Sequence, residues 1–554
     1  MKKIFISIVS LGILLVNNGC KHILDEAAVS QVSSTYYNTA AGFEGGVNAA
    51  YASLRNYYGT EVGTNLTVFG TDTYTNGADG SYKYMNQYTS AFGSSVDILT
   101  TLWNNLYAGI NTMNILIDMA EAGSVTDLTD DVKVQRIAEL KFLRAHHYFI
   151  LTQNWGGVAL TLNGITEPTK DFTRATVSEM YAAITADLEA ALPDLPSTVS
   201  DTEYGRATQG ACEHMLAKVY LTKATSEAKA TDDYSKAATY ASNVINNYSY
   251  SLQSDFASVY DQSNQQNSEI IFAVQYSSDV LSNGNGNLTH LFFNMEYDVQ
   301  AGMQRDIANG RPWKRYKPTD YMLNVIFNPD DRSKDSRYKK SFKDTWYSNK
   351  AGTYSTGLFD DSKTSVTFAL GDTAIYIPGT EWTTAERAAK PYQVLVPSLY
   401  KANLFPVLNK FLDPLRPEIQ TTAGSRDWFV ARLAETYLIL AEADIMLGKT
   451  EEAADAINVV RKRAAWSGYE SAMMITASEA TMEFLMEERE RELAGEMTRW
   501  YDLKRWGILV ERVQLYNPDG AAGIQDFYNL RPIPQTQIDR TTGTSTSFPQ
   551  NPGY

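Results

Sequence analysis

Glu490-Arg491-Glu492-Leu493-Ala494-Gly495-Glu496, running into Arg499-Trp500-Tyr501-Asp502-Leu503-Lys504-Arg505-Trp506-Gly507, is the stretch that decides the fold. Met482 and Leu485 precede it, and the charges from Glu487 to Glu492 alternate in sign along a helical pattern. Glu487 and Arg491 stand four apart, in the order that favours an ion pair on a helix. Taken alone, such a run predicts a solvated helix face or a packing network of ion pairs, not a catalytic group.

Helical periodicity continues on the N-terminal side. Ile137, Leu140, Tyr148, Leu151 and Trp155 fall on one helical face. Val177 to Leu192 repeats the pattern with Met180, Tyr181, Ile184, Leu188 and Ala191, and Pro193 and Pro196 end it. These segments predict an antiparallel helical hairpin. Tetratricopeptide spacing, large-x2-Leu-small-x2-Tyr and then small-x3-large, recurs in degenerate form. Tyr437, Leu440, Ala441 and Asp444 meet it except at the last position, Gly448 turns the chain, and Ala453 and Ile457 follow. Leu216, Ala217 and Tyr220, with Ala237 and Ala241, form a second match, and Ala145 and Tyr148 a partial third. Small residues are needed where two helices cross closely, and large ones fill the groove between them.

From about Ser249 to Arg426 the character changes, with Gly, Asn, Ser and Asp punctuating short runs. Ile270-Ile271-Phe272-Ala273-Val274 reads as a strand. A long irregular insertion in a helical scaffold is usually functional. A second such stretch, Thr64 to Gly93, carries Tyr74, Tyr82, Tyr84, Tyr88 and Phe92 among Asn and Gly. The chain has 35 Tyr, 9 Trp and 21 Phe, many in polar segments where no periodic core calls for them. Such rings, with flat apolar faces and polar edges, suit recognition of sugars or peptides.

Signals for catalysis are sparse. His146 and His147 project about 100° apart on a helix, so they cannot clasp one metal as an i,i+4 pair could. Gly284-Asn285-Gly286 lacks the third glycine of a phosphate-binding loop, and no G-x-S-x-G elbow occurs. Paired carboxylates of a glycosidase are the enzyme option left open, because 64 acidic residues do not single out a pair. Neither metal nor cofactor is expected.

Lys2 and Lys3, then the apolar stretch Ile4 to Val16, read as a signal peptide, too short for a membrane span of about 20 residues. Asn17-Asn18-Gly19-Cys20 looks like a bacterial lipobox, with Asn17 where Leu is usual. Cys20 is then the lipidated first residue. Removing 19 residues from 554 leaves 535, ample for more than one subdomain. Cys212 has no partner once Cys20 is lipidated, which excludes a disulfide framework. Net charge is −16, and −18 without Lys2 and Lys3, which argues against nucleic acid as a partner.

The opening stretch resembles the C-terminal signature of the SusD/RagB family. Lys141-Phe142-Leu143-Arg144-Ala145 with Trp155-Gly156-Gly157 looks like the family's N-terminal helix and turn. Arg432, Glu435, Tyr437, Leu438, Ala441, Glu442 and Ala443 resemble its R-x-x-E-x-Y-L-x-x-A-E-A helix. Arg531-Pro532-Ile533-Pro534-Gln535 and Gln550-Asn551-Pro552-Gly553-Tyr554 look like its tail. The resemblance implies a mostly α, SusD-like fold, with tetratricopeptide-type hairpins and a loop-rich, partly β insertion forming the ligand face. It implies a signal peptide at 1–19, an N-terminal helical region at 20–248, the insertion at 249–426 and a C-terminal helical region at 427–554. It also implies an outer-membrane lipoprotein without catalytic activity, delivering an oligosaccharide, or a peptide, to a SusC-like TonB-dependent transporter. Ligand aromatics in the family come from a loop before the first long hairpin and from the insertion. The corresponding regions hold Tyr74, Tyr82, Tyr84 and Tyr88, then Phe292, Phe293, Tyr297 and Trp313. Trp313, in Arg311-Pro312-Trp313-Lys314-Arg315, reads equally as a buried anchor for its Pro-bearing turn.

Overall fold

The computed structural model describes residues 36–356, 359–542 and 547–554; the signal segment and Cys20 lie outside the described residues. The scaffold is helical: α1 (Ala40–Ser53), α2 (Asp97–Glu121), α3 (Asp130–Trp155), α4 (Val177–Ala191), α5 (Gln209–Lys223) and α6 (Asp233–Asn247) come before the insertion. Behind it follow α7 (Leu433–Met446), α8 (Thr450–Ala464), α9 (Met482–Leu493) and α10 (Arg499–Arg505). Thr39, Thr176, Thr208 and Thr481 start four of these helices, each side chain accepting from the backbone N–H three residues on.

The hairpins expected from periodicity are α3 with α4, α5 with α6 and α7 with α8, and α6 packs across α7. At the crossings Ala217, Ala237, Ala241, Ala441 and Ala453 are fully buried, letting the helix backbones approach. Helix α3 departs from the one-faced pattern. From Phe142 to Trp155 it is buried all round, polar residues included. Its polar groups find fixed partners: Arg144 meets Asp187 in a bidentate pair at 2.8 and 2.7 Å. His146 Nε2 lies 2.7 Å from the Tyr58 hydroxyl, and His147 Nε2 lies 2.8 Å from Ser53 Oγ. Burial pushes the two imidazoles down, to about 3 and about 4, so both are neutral structural groups at pH 7. Cys212 is buried and donates to Leu188 O.

The strands are short and include β1 (Tyr74–Asn76), β2 (Ile270–Val274), β3 (Tyr316–Pro318), β4 (Thr345–Tyr347), β5 (Thr373–Tyr376), β6 (Gln393–Val394) and β7 (Trp428–Arg432). β2 and β7 pair antiparallel, Val274 opposite Trp428 and Ile270 opposite Arg432, so the insertion enters and leaves through one two-stranded neck. Inside it, β4, β5 and β6 form a sheet over a separate small core that includes Met295, Trp346, Ile375, Leu395 and Phe405.

The charge run of the opening stretch is a packing network. Glu488, Arg489, Glu490 and Glu492 are all buried. Arg432, the last residue of the neck, reaches Glu492 at 2.6 Å, Glu269 at 2.9 Å and Glu496 at 2.7 Å. Arg463 of α8 adds a 2.6 Å contact to Glu269, Arg337 one of 2.8 Å to Glu488, and Lys410 one of 2.9 Å to Glu496. Burial opposes the charge on Glu492, yet Arg463, Arg432 and Arg337 together hold its pKa down at about 2. Removing one member of such a buried cluster strands the others, a cost of about 3–5 kcal/mol. Arg432→Met is therefore expected to lower unfolding stability by about that amount in urea titrations, whereas an unchanged midpoint would show that the network does not hold the neck.

Candidate functional site

The two aromatic-rich segments come together through β1 and β3. They pair antiparallel, Tyr74 opposite Pro318 and Asn76 opposite Tyr316. Backbone bonds from Gly77 N to Arg315 O and from Asp79 N to Lys314 O extend the ladder toward the loop tips. The approach is so close at Gly77 that a Cβ there would sit 2.0 Å from Lys314 O, which is why this position takes glycine. Past the ladder the chain turns sharply on both sides. Tyr82, Tyr88 and Lys314 have φ of 58°, 51° and 54°, three of the four non-glycine residues with positive φ among those described. Left-handed backbone at such residues costs of order 1–3 kcal/mol each and tends to collect at ligand-contacting loops.

Charge organises the surface between these turns. The Arg315 guanidinium lies 4.9 Å from the Trp313 ring centre, 2.6 Å from Glu61 and in contact with Asp79. Lys314 reaches Glu296 at 2.5 Å, and Asn403 donates to the same carboxylate at 3.0 Å. Burial raises Glu61 to about 7 despite Arg315. Burial is the largest single influence on Asp79 and pushes it up, but Ser81, Arg315 and Lys314 together hold it below its usual value. Burial and the nearby Glu61 raise the Tyr82 hydroxyl. Tyr82 and Tyr84 meet edge to face at 6.2 Å. Their hydroxyls and the Trp313 indole N–H have no hydrogen-bond partner among the described residues. Three partly exposed rings thus stand on the two joined segments, one of them packed on a clamped guanidinium, with polar tips unspent.

The C-terminal signature braces this surface from below. Arg499 of α10 grips Asp72, two residues before β1, at 2.8 and 2.6 Å. Asn517 donates to Thr71 O, Tyr74 O and Asn86 Oδ1, and Thr75 donates to Asn517 and Asp519.

Not every aromatic expected at the ligand face reaches it. Tyr74, Tyr88, Phe292, Phe293 and Tyr297 are buried, and here the premise that no core needs them is corrected. Tyr74 packs edge-on to Phe293 at 5.3 Å, and Tyr88 donates to Gly70 O at 2.5 Å. Phe292 supports Trp313 from beneath at 5.9 Å, and Tyr297 belongs to the small core of the insertion, donating to Gly310 O. Tyr82, Tyr84 and Trp313 are the ones left in reach of solvent. Trp313 is neither fully buried nor free: its backbone is pinned to Leu291 O and its ring is packed by Phe292 and Arg315. The sequence reading passed over Glu61, Asp79 and Glu296. Their pairings with Arg315 and Lys314 mostly span more than two hundred residues, and nothing local marks them.

Comparison with known proteins places this geometry. Residues 268–554 match the family model described as the SusD family, and residues 24–221 match one described as starch-binding and associating with the outer membrane. The chain is 27% identical to SusD-like protein P2 of Formosa agariphila, over the full length of both. It is 26% identical to the starch-binding protein SusD of Bacteroides thetaiotaomicron, covering 80% of this chain and 76% of that one. Among solved structures, a laminarin-binding SusD-like protein superposes with a TM-score of 0.69 at 22% identity, covering 93% of this chain and 100% of the other. A SusD homologue from Bacteroides thetaiotaomicron gives 0.72 at 21% identity, covering 94% and 98%.

Gly77→Ala would force β1 from β3 at the loop tips. The expected result is a fold weakened by only about 1–3 kcal/mol but a ligand face that no longer binds; full binding by this variant would mean that the two loops do not act together.

Proposed function

This chain belongs to the SusD family of glycan-binding proteins associated with the outer membrane, and we propose that it captures an oligosaccharide at the cell surface and hands it to a SusC-like TonB-dependent transporter. The observation that carries the ligand reading is the strand pairing that joins the loop carrying Tyr82 and Tyr84 to the turn where Trp313 packs on the Arg315 guanidinium. A pyranose exposes C–H groups on one face and hydroxyls around its rim. Partly exposed rings take the face, while Asp79, Lys314, Arg315 and the free tyrosine hydroxyls take the rim. The starch and laminarin named for two similar proteins make glucans the first class to try. Glu61 meets Arg315 with both carboxylate oxygens and Asp79 with one, which fits binding rather than hydrolysis.

The transporter reading draws on the helical scaffold. Helices α6, α7 and α8 enclose an open groove of about 660 Å³ lined by Tyr437, Leu440 and Val459 among acidic and amide side chains. Val459 on its wall is exposed, and so is Met446 at the end of α7, as suits a surface that a partner protein covers. Lipid at Cys20 would hold the molecule to the membrane beside that partner.

Shallow stacking gives weak affinity, on the order of micromolar to millimolar, better for longer oligosaccharides than for single sugars, and independent of metal or nucleotide. In calorimetry against a glycan panel, Trp313→Ala should weaken binding on the order of tenfold while lowering the melting temperature by only a few degrees. A collapse of stability with the loss of binding would make Trp313 a structural anchor, and binding of peptides instead of any glycan would replace the oligosaccharide reading. Purification of tagged protein from its native outer membrane in mild detergent should recover a large β-barrel. Recovery of the lipoprotein alone, with other membrane complexes intact, would contradict the partnership.

A further inference from the structure

Tyr376 and Trp382 join none of the hydrophobic clusters, whereas Tyr82, Tyr84 and Trp313 all pack against the main core. Tyr376, Trp382 and Tyr392 are each partly exposed on the insertion. The Tyr376 ring lies 5.7 Å from that of Trp382, tilted by 49°, and 6.1 Å from that of Tyr392, at 73°. Lys390 Nζ stands 5.4 Å from the Trp382 ring centre. Neither hydroxyl, nor the indole N–H, has a hydrogen-bond partner among the described residues.

Backbone contacts hold the segments that carry these rings, and Tyr392 also packs against the small core of the insertion. Tyr376 ends β5, the central strand of its sheet, and its carbonyl accepts from Leu395 N at 2.9 Å while the next residue, Ile377, donates to Asp344 O at 2.8 Å. Trp382 is fixed on both sides. Glu381 accepts from Ser398 N and Oγ at 2.6 and 3.0 Å, and Thr383 with Glu386 forms a capping box that starts the short helix Thr384–Ala388. Tyr392 precedes β6, and its carbonyl accepts from Lys363 Nζ at 2.8 Å. Exposed aromatic rings on a rigid base, with unspent polar tips, lose little entropy when a ligand stacks on them.

We propose that Tyr376, Trp382 and Tyr392, with Lys390, form a second glycan-binding surface, which engages pyranose units of a polymer whose other units sit at the Trp313 face. This rests on the glycan reading of that face. A partner protein is the poorer fit, because three partly exposed rings offer roughly a few hundred Å², well short of the roughly 800 Å² per partner of a stable interface. A surface of this kind adds little affinity for a short oligosaccharide. It raises retention of a long chain by making the second contact intramolecular.

The test is affinity gel electrophoresis in soluble polysaccharides that include starch and laminarin, alongside calorimetry with short oligomers of whichever polymer retards the wild type. Trp382→Ala, and Tyr376→Ala combined with Trp382→Ala, should reduce retardation by the polymer at least threefold while the short-oligomer Kd stays within twofold. Trp382→Phe should restore most of the retardation, separating loss of a stacking face from loss of structure. Retardation equal to wild type in both alanine variants would overturn this second surface and leave the Trp313 face standing. A wild type retarded by no polysaccharide and binding no oligomer would overturn the glycan reading and this proposal together. Retarded capture of a protein, with glycan retention unchanged, would assign the patch to a partner and overturn the proposal alone.

Discussion

The arrangement hangs on the neck where Arg432 meets Glu269, Glu492 and Glu496 in the interior. These four residues come from three separate parts of the chain. Glu269 precedes the strand that enters the insertion, Arg432 ends the strand that leaves it, and Glu492 and Glu496 belong to the C-terminal signature. A charge buried this deeply is tolerable only with its partners in place, so the insertion has one docking geometry on the repeat scaffold. Apolar packing of equal volume would fill the same space without specifying that geometry so narrowly.

From the neck the constraint passes to the ligand face. The same C-terminal segment that supplies Glu492 supplies Arg499, whose grip on Asp72 fixes the entry to β1. Through β1 and β3 the loop carrying Tyr82 and Tyr84 is tied to the turn carrying Trp313, far away in sequence. Rigid elements thus present strained loops, and the loops present rings. The face is preorganised by ion pairs and backbone bonds at its base, which leaves the ring edges unspent.

What the sequence made legible follows from locality. Helical hairpins were readable because their apolar period is local, and Ile270 to Val274 read as a strand from its short, uninterrupted apolar run. Its pairing with Trp428 to Arg432 was not readable, since nothing in either segment names the other. Helix α3 showed one apolar face, but neighbours on all sides bury its His146, His147 and Arg144 as well. The charge run from Glu487 to Glu492 allowed two readings, and only the position of Arg337, Arg432 and Arg463 in space decides for the buried one. Aromatics were the least legible. Tyr74 and Tyr82 sit in the same polar stretch, yet one lies under a strand pair against Phe293 and the other on a left-handed turn in reach of solvent. Composition marks the stretch as unusual and does not say which rings the core has already claimed.

The most direct measurement of the central claim is hydrogen–deuterium exchange of the full chain with and without a bound glucan oligosaccharide. The account predicts that a short oligomer slows exchange in two segments distant in sequence, 77–89 and 311–317, with the groove between α6, α7 and α8 unchanged. Protection confined to that groove, or slowed exchange in only one of the two segments, would contradict a ligand face built by joining them.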